Sequence, residues 1–437
     1  MNTMPTPHSV PTHLEADVAI VGSGFGGLTA AQRLAKTGLR VVLISSTPEH
    51  LFQPLLYQVA TGVLSSEEIA PDIANILKKH KNVEVRLGTV SDVDPDAGVL
   101  HFRNDTGTET VRFRYLIAAT GATQSYFGRN EFAQYSYALK TIDDATRLRT
   151  QIRQNFEAAA QTTDDDLRRR LLSFVIVGAG PTGVEVAGQI RELATRYYKR
   201  DDVSVYLVEG AGDALPVYGG SLSAYARKSL EAGGVELLLN SLVTDMDSDG
   251  VTVKIGAGAA IRKIAADTII WSAGVQASGF TAILAEATGA DTDRAGRILI
   301  NNDLTVGGYA NVYAIGDMTS LNGYPGQSPV AMQEARHAAD VISRKKLPGT
   351  AFTYRDKGSM SVISRFSAVV AVNEKIRFRG MFAWITWLAV HLFYLIGFRN
   401  RFAAIASWLY AFIGSNRPGF EQADRDAVLP EEQSRAS

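Results

Sequence analysis

The sequence predicts an α/β chain of two Rossmann-like dinucleotide-binding domains, followed by a C-terminal helical segment that anchors to a membrane. A strand–glycine turn–helix pattern opens at Asp17 and recurs at Phe174. Each copy is followed, at nearly equal distance, by a second apolar strand that ends in glycine. Near the C-terminus, RFRGMFAWITWLAVHLFYLIGFRNR (Arg377 to Arg401) carries no charge between Met381 and Phe398.

In the first copy, Val18 to Val21 is an apolar, β-branched run. Gly22-Ser23-Gly24-Phe25-Gly26-Gly27 follows, then a helical pattern and a second strand, Val41 to Ile44. This is the dinucleotide-binding βαβ unit. Gly22 permits the tight turn, Gly24 lets the backbone approach a pyrophosphate, and Gly27 lets helix and strand pack closely. The helix N-terminus adds free N–H groups and a positive dipole end. The second copy has Val175 to Val177 as strand and Gly178-Ala179-Gly180-Pro181-Thr182-Gly183 as turn. Gly121 lies 99 residues after Gly22, and Gly274 lies 96 after Gly178; each closes an apolar strand. Two such modules in one chain mean two nucleotide-binding domains.

The strand-end residue selects the nucleotide. A carboxylate there accepts hydrogen bonds from an adenosine ribose and repels a 2′-phosphate. Glu209 holds that post in the second module, which predicts preference for NADH over NADPH. Ser45 and Ser46 hold it in the first, where a hydroxyl can still bond a ribose.

Composition narrows the chemistry. At 437 residues, two or three domains are expected. A net charge of -1 supplies no field that draws nucleic acid. Without cysteine there are no disulfides, iron–sulfur clusters, thiolate zinc sites or thiol redox steps, and the seven histidines lack metal-ligand spacing, so no metal is expected. Residues 1–13 lack the charged and apolar blocks of a secretory signal and read as a disordered leader; residues 421–437 read as a disordered tail.

A third mark, GGYANVYAIGDMTS, ends an apolar strand with Gly316-Asp317. It resembles the flavin motif of the two-dinucleotide-binding-domain flavoproteins, in which the aspartate bonds the ribityl chain of FAD; here that residue is Asp317. The resemblance makes the first glycine turn, Thr120-Gly121 and Asp317 one FAD site, with the second module inserted between its parts and holding NADH. The expected FAD-binding domain is discontinuous, 14–125 and 290–350; the NADH-binding domain covers 126–289 and the membrane-anchoring region 351–420. The runs HLFQPLLYQVATGVLSSEEIAPDI and DKGSMSVISRFSAVV narrow the match. Over about Ala16 to Gly414 the chain resembles the type II NADH:quinone oxidoreductases, the non-pumping single-chain NADH dehydrogenases, in their actinobacterial branch. It departs from their AQxAxQ quinone signature. Met332-Gln333-Glu334-Ala335-Arg336-His337 keeps Gln333 and Ala335, with Met332 and His337 in place of the outer Ala and Gln.

The resemblance implies NADH oxidation on tightly bound FAD and two-electron reduction of a quinone. Glu185, following GPTGV and read as part of the first helical turn, is implied to reach the nicotinamide and flavin edge. Gln53, Pro54 and Val90 are expected among the flavin-lining residues. The helix beginning near Pro329 is expected to aim its N-terminus at the flavin, with backbone groups of Met332 and Gln333 stabilising charge there. His337 is a candidate to bond a quinone carbonyl or relay a proton.

A lipid-borne acceptor explains the apolar end. As one helix, Met381 to Phe398 would be about 27 Å long, the lower limit for a span. Phe402 to Gly414 is too short to cross. Trp384, Trp387 and Trp408 suit the interfacial belt, and Arg377, Arg379, Arg399 and Arg401 are placed to meet lipid phosphates. A two-helix monotopic anchor on the cytoplasmic face of the cell membrane, with homodimerisation, is the implied arrangement; a true span, and a dimerisation surface or buried core helix, stay open as alternatives for this segment. Two other readings stay open: a ferredoxin or rubredoxin reductase, and a flavin-bearing NADH sensor or membrane scaffold.

Overall fold

The computed structural model describes residues 13–256, 260–414 and 416–420. The expected leader and tail lie outside these residues, except His13, which opens the first strand. The chain divides into two compact units. One comprises the residues up to His50, Asp72–Thr123 and Val275–Asp356; the other comprises Leu51–Pro71, Gln124–Gly274 and the residues from Lys357 onward.

In the first unit the strand Tyr309–Ala314 lies beside Gly107–Ala118, then His13–Val21, Val41–Ser45 and Val83–Leu87, all parallel. Val18 pairs with Val41 on one side and Tyr115 on the other. Val18 to Val21 and Val41 to Ile44 are buried throughout, because strands of a parallel sheet are covered on both faces. An antiparallel hairpin, Thr89–Asp94 and Val99–Asn104, extends from Gly107–Ala118. The helices Phe25–Leu34 and Ser328–Ile342 pack together. They are clamped by a bidentate pair in which Arg33 Nε and Nη2 donate to Asp340 at 2.8 and 3.0 Å.

The second unit holds a four-stranded parallel sheet in the order Val235–Leu238, Ser204–Val208, Ser173–Val177, Thr268–Trp271. Its helix Pro181–Glu192 runs into a π-turn, Leu193–Tyr197. The antiparallel sheet Ser359–Ser364, Ser367–Ala371 and Arg377–Gly380 packs on that helix at Gly188. A Cβ there would lie 1.8 Å from the Ile363 carbonyl oxygen, so only glycine permits the approach.

The C-terminal run is two helices, Met381–Tyr394 and Phe398–Gly414, broken at Gly397 with φ +94°. The single helix from Met381 to Phe398 does not form, because its last turn gives way to extended backbone at Leu395. Among the described residues no helix is long and apolar enough to cross a membrane. The tryptophans are not interfacial. Trp384, Trp387 and Trp408 are buried, Trp387 to 1% exposure. They face inward because this unit supplies partners for them, including a buried acceptor for the Trp408 N–H. Phenylalanine and aliphatic side chains face out instead, with Phe382 80% and Ile413 75% exposed. Three of the four arginines are also engaged elsewhere. Arg377 donates to the Tyr218 and Gly219 carbonyls, Arg379 to the Ser221 carbonyl, and Arg401 to the Leu395 and Phe393 carbonyls at the end of the preceding helix.

Candidate functional sites

In the first unit every predicted turn lies at the C-terminal end of a parallel strand, where open α/β sheets bind ligands. Gly22 follows His13–Val21, Ser45 ends Val41–Ser45, Thr120-Gly121 follows Gly107–Ala118, and Gly316-Asp317 follows Tyr309–Ala314. The glycines there divide into two kinds. At Gly22 a Cβ would meet the Ala119 carbonyl oxygen at 2.4 Å, and at Gly27 the Gly22 carbonyl oxygen at 1.8 Å. Their side chains are excluded by the protein's own packing. Gly24, at the N-cap of Phe25–Leu34, has nothing within 4 Å of such a Cβ, and neither has Gly121. Open space over backbone N–H groups at a helix start is a cradle for an anion.

Side chains brace this cradle. Ser23 and Ser45 hydroxyls lie 2.7 Å apart, and Ser45 donates to the Thr47 carbonyl at 2.7 Å, so its proton already has an acceptor. Phe25 meets the His50 ring edge-on at 5.3 Å. Thr120 donates from its amide to Met318 Sδ, and its hydroxyl lies 2.6 Å from that of Ser278. Val90 is buried in the hairpin. Asp317 is half-buried, its carboxylate beside Gly326.

The helix Ser328–Ile342 has Gln327 as N-cap and Pro329 in its first turn. Through Ala331 that turn abuts both Gly26 and Gly316. Met332 and Gln333 are its fifth and sixth residues, beyond the four whose N–H groups a helix leaves free. The positive end is therefore the first turn, before Met332 and Gln333; within it Pro329 has no N–H and the Val330 and Ala331 amides donate to the Gln327 carbonyl at 3.0 and 3.3 Å. The Gln333 side chain closes a two-way bond with Arg355, donating to its carbonyl at 2.9 Å and accepting from its amide at 3.0 Å. His337 is buried. Its Nε2 donates to the Thr350 carbonyl at 2.8 Å, and its Nδ1 accepts from Lys346 Nζ at 3.0 Å. Burial lowers its pKa, consistent with this neutral, doubly engaged ring. Both residues line a surface cleft of about 290 Å³ with Arg336, Lys346 and Phe352.

The second unit repeats the glycine logic. A Cβ at Gly178 would meet Ala273 backbone at 2.9 Å, and one at Gly183 the Gly178 carbonyl oxygen at 1.8 Å; at Gly180, the N-cap of Pro181–Glu192, it would meet nothing within 4 Å. Pro181 and Thr182 lie exposed in the first helical turn. Glu209 follows the strand Ser204–Val208 and accepts from the Ala179 amide at 2.6 Å and the Ala211 amide at 2.8 Å. Gly274, with φ +74°, lies under the Phe127 ring. Gln53 is exposed and Pro54 half-buried, in a 3-10 turn of this unit.

Glu185 is the fifth residue of its helix, not a first-turn acid. It is buried, and its Oε1 accepts from the Ser361 hydroxyl and the Val362 amide, both at 3.3 Å. Burial pushes its pKa up to about 8 against those two bonds, so at neutral pH the carboxyl keeps its proton. Tyr57 and Tyr218, both buried, lie within electrostatic reach of it.

Four further side chains stand at these sites without having been singled out from the sequence. His50 Nδ1 donates to the Ser23 carbonyl at 2.8 Å inside the first turn; its Nε2 is buried without a partner among the described residues. Glu334 accepts from the Gly316 amide at 2.6 Å, and burial pushes its pKa up to about 7. Ser361 and Tyr57 complete the surroundings of Glu185. His50 and Tyr57 stood in a conspicuous run, HLFQPLLYQ, but no local spacing pointed to their partners.

Residues 16–335 match the family described as pyridine nucleotide-disulphide oxidoreductase. Type II NADH:quinone oxidoreductase NdhA of Mycobacterium tuberculosis is 46% identical over 415 residues, 92% of this chain and 88% of the relative. Type II NADH:quinone oxidoreductase Ndh of the same organism is 42% identical over 423 residues, 94% of this chain and 91% of the relative. NDH2 from Plasmodium falciparum, solved in complex with NADH, shares the fold at a TM-score of 0.84 and 20% identity, over 91% of this chain and 98% of that one. With identity of this order sustained through both units, the chain belongs to the type II NADH:quinone oxidoreductases, within a wider family whose disulphide chemistry a chain without cysteine does not share.

Proposed function

We propose that the protein oxidises NADH on FAD and passes the two electrons to a membrane quinone, without proton pumping. The observation that carries this reading is the pair of glycine cradles. Each has a central glycine whose missing side chain the protein's own packing does not require. Two cradles call for two dinucleotides, and with no thiol in the chain the final acceptor is not a protein disulfide.

The first cradle fits FAD. Gly24 and Gly121 leave room for phosphate, the Phe25–Leu34 helix points its positive end there, and Asp317 offers a carboxylate to a sugar-like chain. FAD, when bound, supplies hydride acceptance and two-electron donation. The first turn of Ser328–Ile342 places its dipole at Gly26 and Gly316 and favours negative charge nearby. Gln333 and His337 serve this site as braces, holding residues 350–355 to the helix. The second cradle fits NADH. Glu209 accepts from one amide of the turn, Ala179, and from one of its own loop, Ala211, and presents a carboxylate to the ribose. Glu185 holds a proton in a dry setting, the condition for a group that hands one on.

The apolar helices suit a bilayer surface, which brings a lipid-dissolved quinone within reach. Attachment at the cytoplasmic face and a homodimer complete the proposal. The test is steady-state NADH oxidation in lipid vesicles with a quinone analogue, with ferredoxin, and with oxygen alone. A rate that rises steeply with quinone is expected. A rate indifferent to quinone, or protein that stays colourless after incubation with FAD, ends the reading.

A further inference from the structure

The second unit contains a buried hydrogen-bond file whose direction is fixed at one end. Trp408, on the helix Phe398–Gly414, has an indole N–H that can only donate. It donates to Gln58 Oε1 at 2.7 Å. That contact decides which end of the Gln58 amide faces the tryptophan, and turns the amide nitrogen to Tyr57. Gln58 Nε2 donates to the Tyr57 phenol oxygen at 3.0 Å. Tyr57 therefore accepts on its Gln58 side, and its own O–H points elsewhere. Gln58 and Tyr57 are only 1–2% exposed, so water does not blur this order.

The helix bearing Trp408 is latched to the same segment at two further points. Asn400 Nδ2 donates to the Glu67 carbonyl at 3.2 Å, and the Ser407 hydroxyl donates to Glu68 Oε1 at 2.6 Å. Glu68 is itself fixed, its Oε2 accepting from the Ser65 amide at 2.6 Å. The seat of the helix and the sense of the file are thus one structure. The helix Leu56–Ala60, which carries Tyr57 and Gln58, packs on Pro181–Glu192, which carries Glu185. Burial raises the pKa of the Tyr57 phenol, and of the nearby acids Glu185 adds most to that rise, ahead of Glu192. Glu192 is countered by Arg417, with Arg365 also nearby. Tyr218 and Ser361 flank Glu185 from the loop before Gly220–Ala232 and from Ser359–Ser364.

Hydride transfer from NADH supplies two electrons and one proton, whereas a quinol carries two protons. The balance is NADH, quinone and one H⁺ giving NAD⁺ and quinol, so one further proton comes from the medium. We infer that Trp408 is a positioning residue for that delivery: by way of Gln58 it aims the Tyr57 O–H towards Glu185, tying the proton path to the seating of the C-terminal helix. This inference rests on the quinone reading above.

Two variants test it in separate half-reactions. Trp408→Phe keeps the ring and removes the N–H. Gln58→Glu keeps an acceptor for Trp408 and presents Tyr57 with an acceptor instead of a donor, reversing the file. Bleaching of the flavin by NADH, followed by stopped flow, is expected to stay within about twofold of wild type. Reoxidation by a water-soluble quinone analogue is expected to slow about tenfold in both variants, with a shifted pH profile and a larger solvent deuterium effect. If both variants reoxidise with the wild-type rate and pH profile, or if both half-reactions slow equally, Trp408 has no positioning role. If wild-type reduced flavin is not reoxidised by quinone at all, the functional reading itself has failed, and the behaviour of the variants is not needed to decide it.

Discussion

Glu185 carries a cost that shows in stability. Its pKa in the fold is about 8, against an ordinary 4.5. Below 4.5 both folded and unfolded chains hold the proton. As pH rises from 4.5 to 8 the unfolded chain releases it and the fold does not, so stability falls across that window and levels off above it. Glu185→Gln removes this slope. Its melting temperature, compared with that of wild type, is expected to gain between about pH 5 and pH 8 and then level off; a parallel pair of curves would place the ionisation elsewhere. Glu209 is expected to act through binding. Glu209→Ala strips an acceptor from the Ala179 amide of the turn and the Ala211 amide and, on the proposed function, from the ribose. The KM for NADH should rise at least about tenfold while the gap to NADPH narrows; an unchanged ratio would remove Glu209 from the ribose. The glycines of these turns were legible because a forbidden Cβ is a local fact. The buried polar partners were not, since Glu185 meets Ser361 across 176 residues and Gly316 meets Glu334 across 18. Nothing in the spacing of such residues marks the bond. Gln333 and His337 stood out by their position in a motif, whereas hydrogen bonds commit Gln333 to the Arg355 backbone and His337 to the Thr350 carbonyl and the Lys346 ammonium.

Among the elements, the C-terminal helices present one face inward and one outward. Trp384, Trp387, Ala404, Trp408 and Phe412 are buried; Phe382, Phe393, Phe402 and Ile413 are not. A surface of that kind marks a partner or a membrane. Each large side chain that enters lipid contributes roughly 1.5–3 kcal/mol. Changing Phe382, Phe402 and Ile413 together to aspartate should abolish co-sedimentation with vesicles while leaving the thermal transition in place. Retained sedimentation would assign that face to another surface. Here sequence reasoning located the elements and misjudged their orientation. A run that is apolar on all sides has no period from which to read a face, and tryptophan is as content in a core as at an interface once its N–H has an acceptor. The division into two helices was expected, but the break falls earlier, at Leu395 to Gly397, where glycine takes φ +94°.

At the scale of the molecule, the C-terminal region is part of the second unit rather than an appendage to it. Arg417 is buried, donating to Gln189 Oε1 at 3.2 Å and paired with Glu192 at 3.7 Å. Phe420 covers Gly62, and the Gly419 amide donates to the Gly62 carbonyl at 3.0 Å. Deletion from Gly380 onward therefore should not yield a soluble enzyme merely freed from membranes. Loss of a cooperative melting transition is expected, measurable by calorimetry; a truncated protein that melts as sharply as the full chain would show the region to be separable. The same closure has a bearing on biosynthesis. Gly62 and Phe420 are 358 residues apart, which at a ribosomal pace of about 5–20 residues per second is roughly 20–70 s of waiting. For most of that interval it is the Gly62 side that stands uncovered; the helices from Met381 onward are made only 39 residues before Phe420 and wait roughly 2–8 s for their clasp.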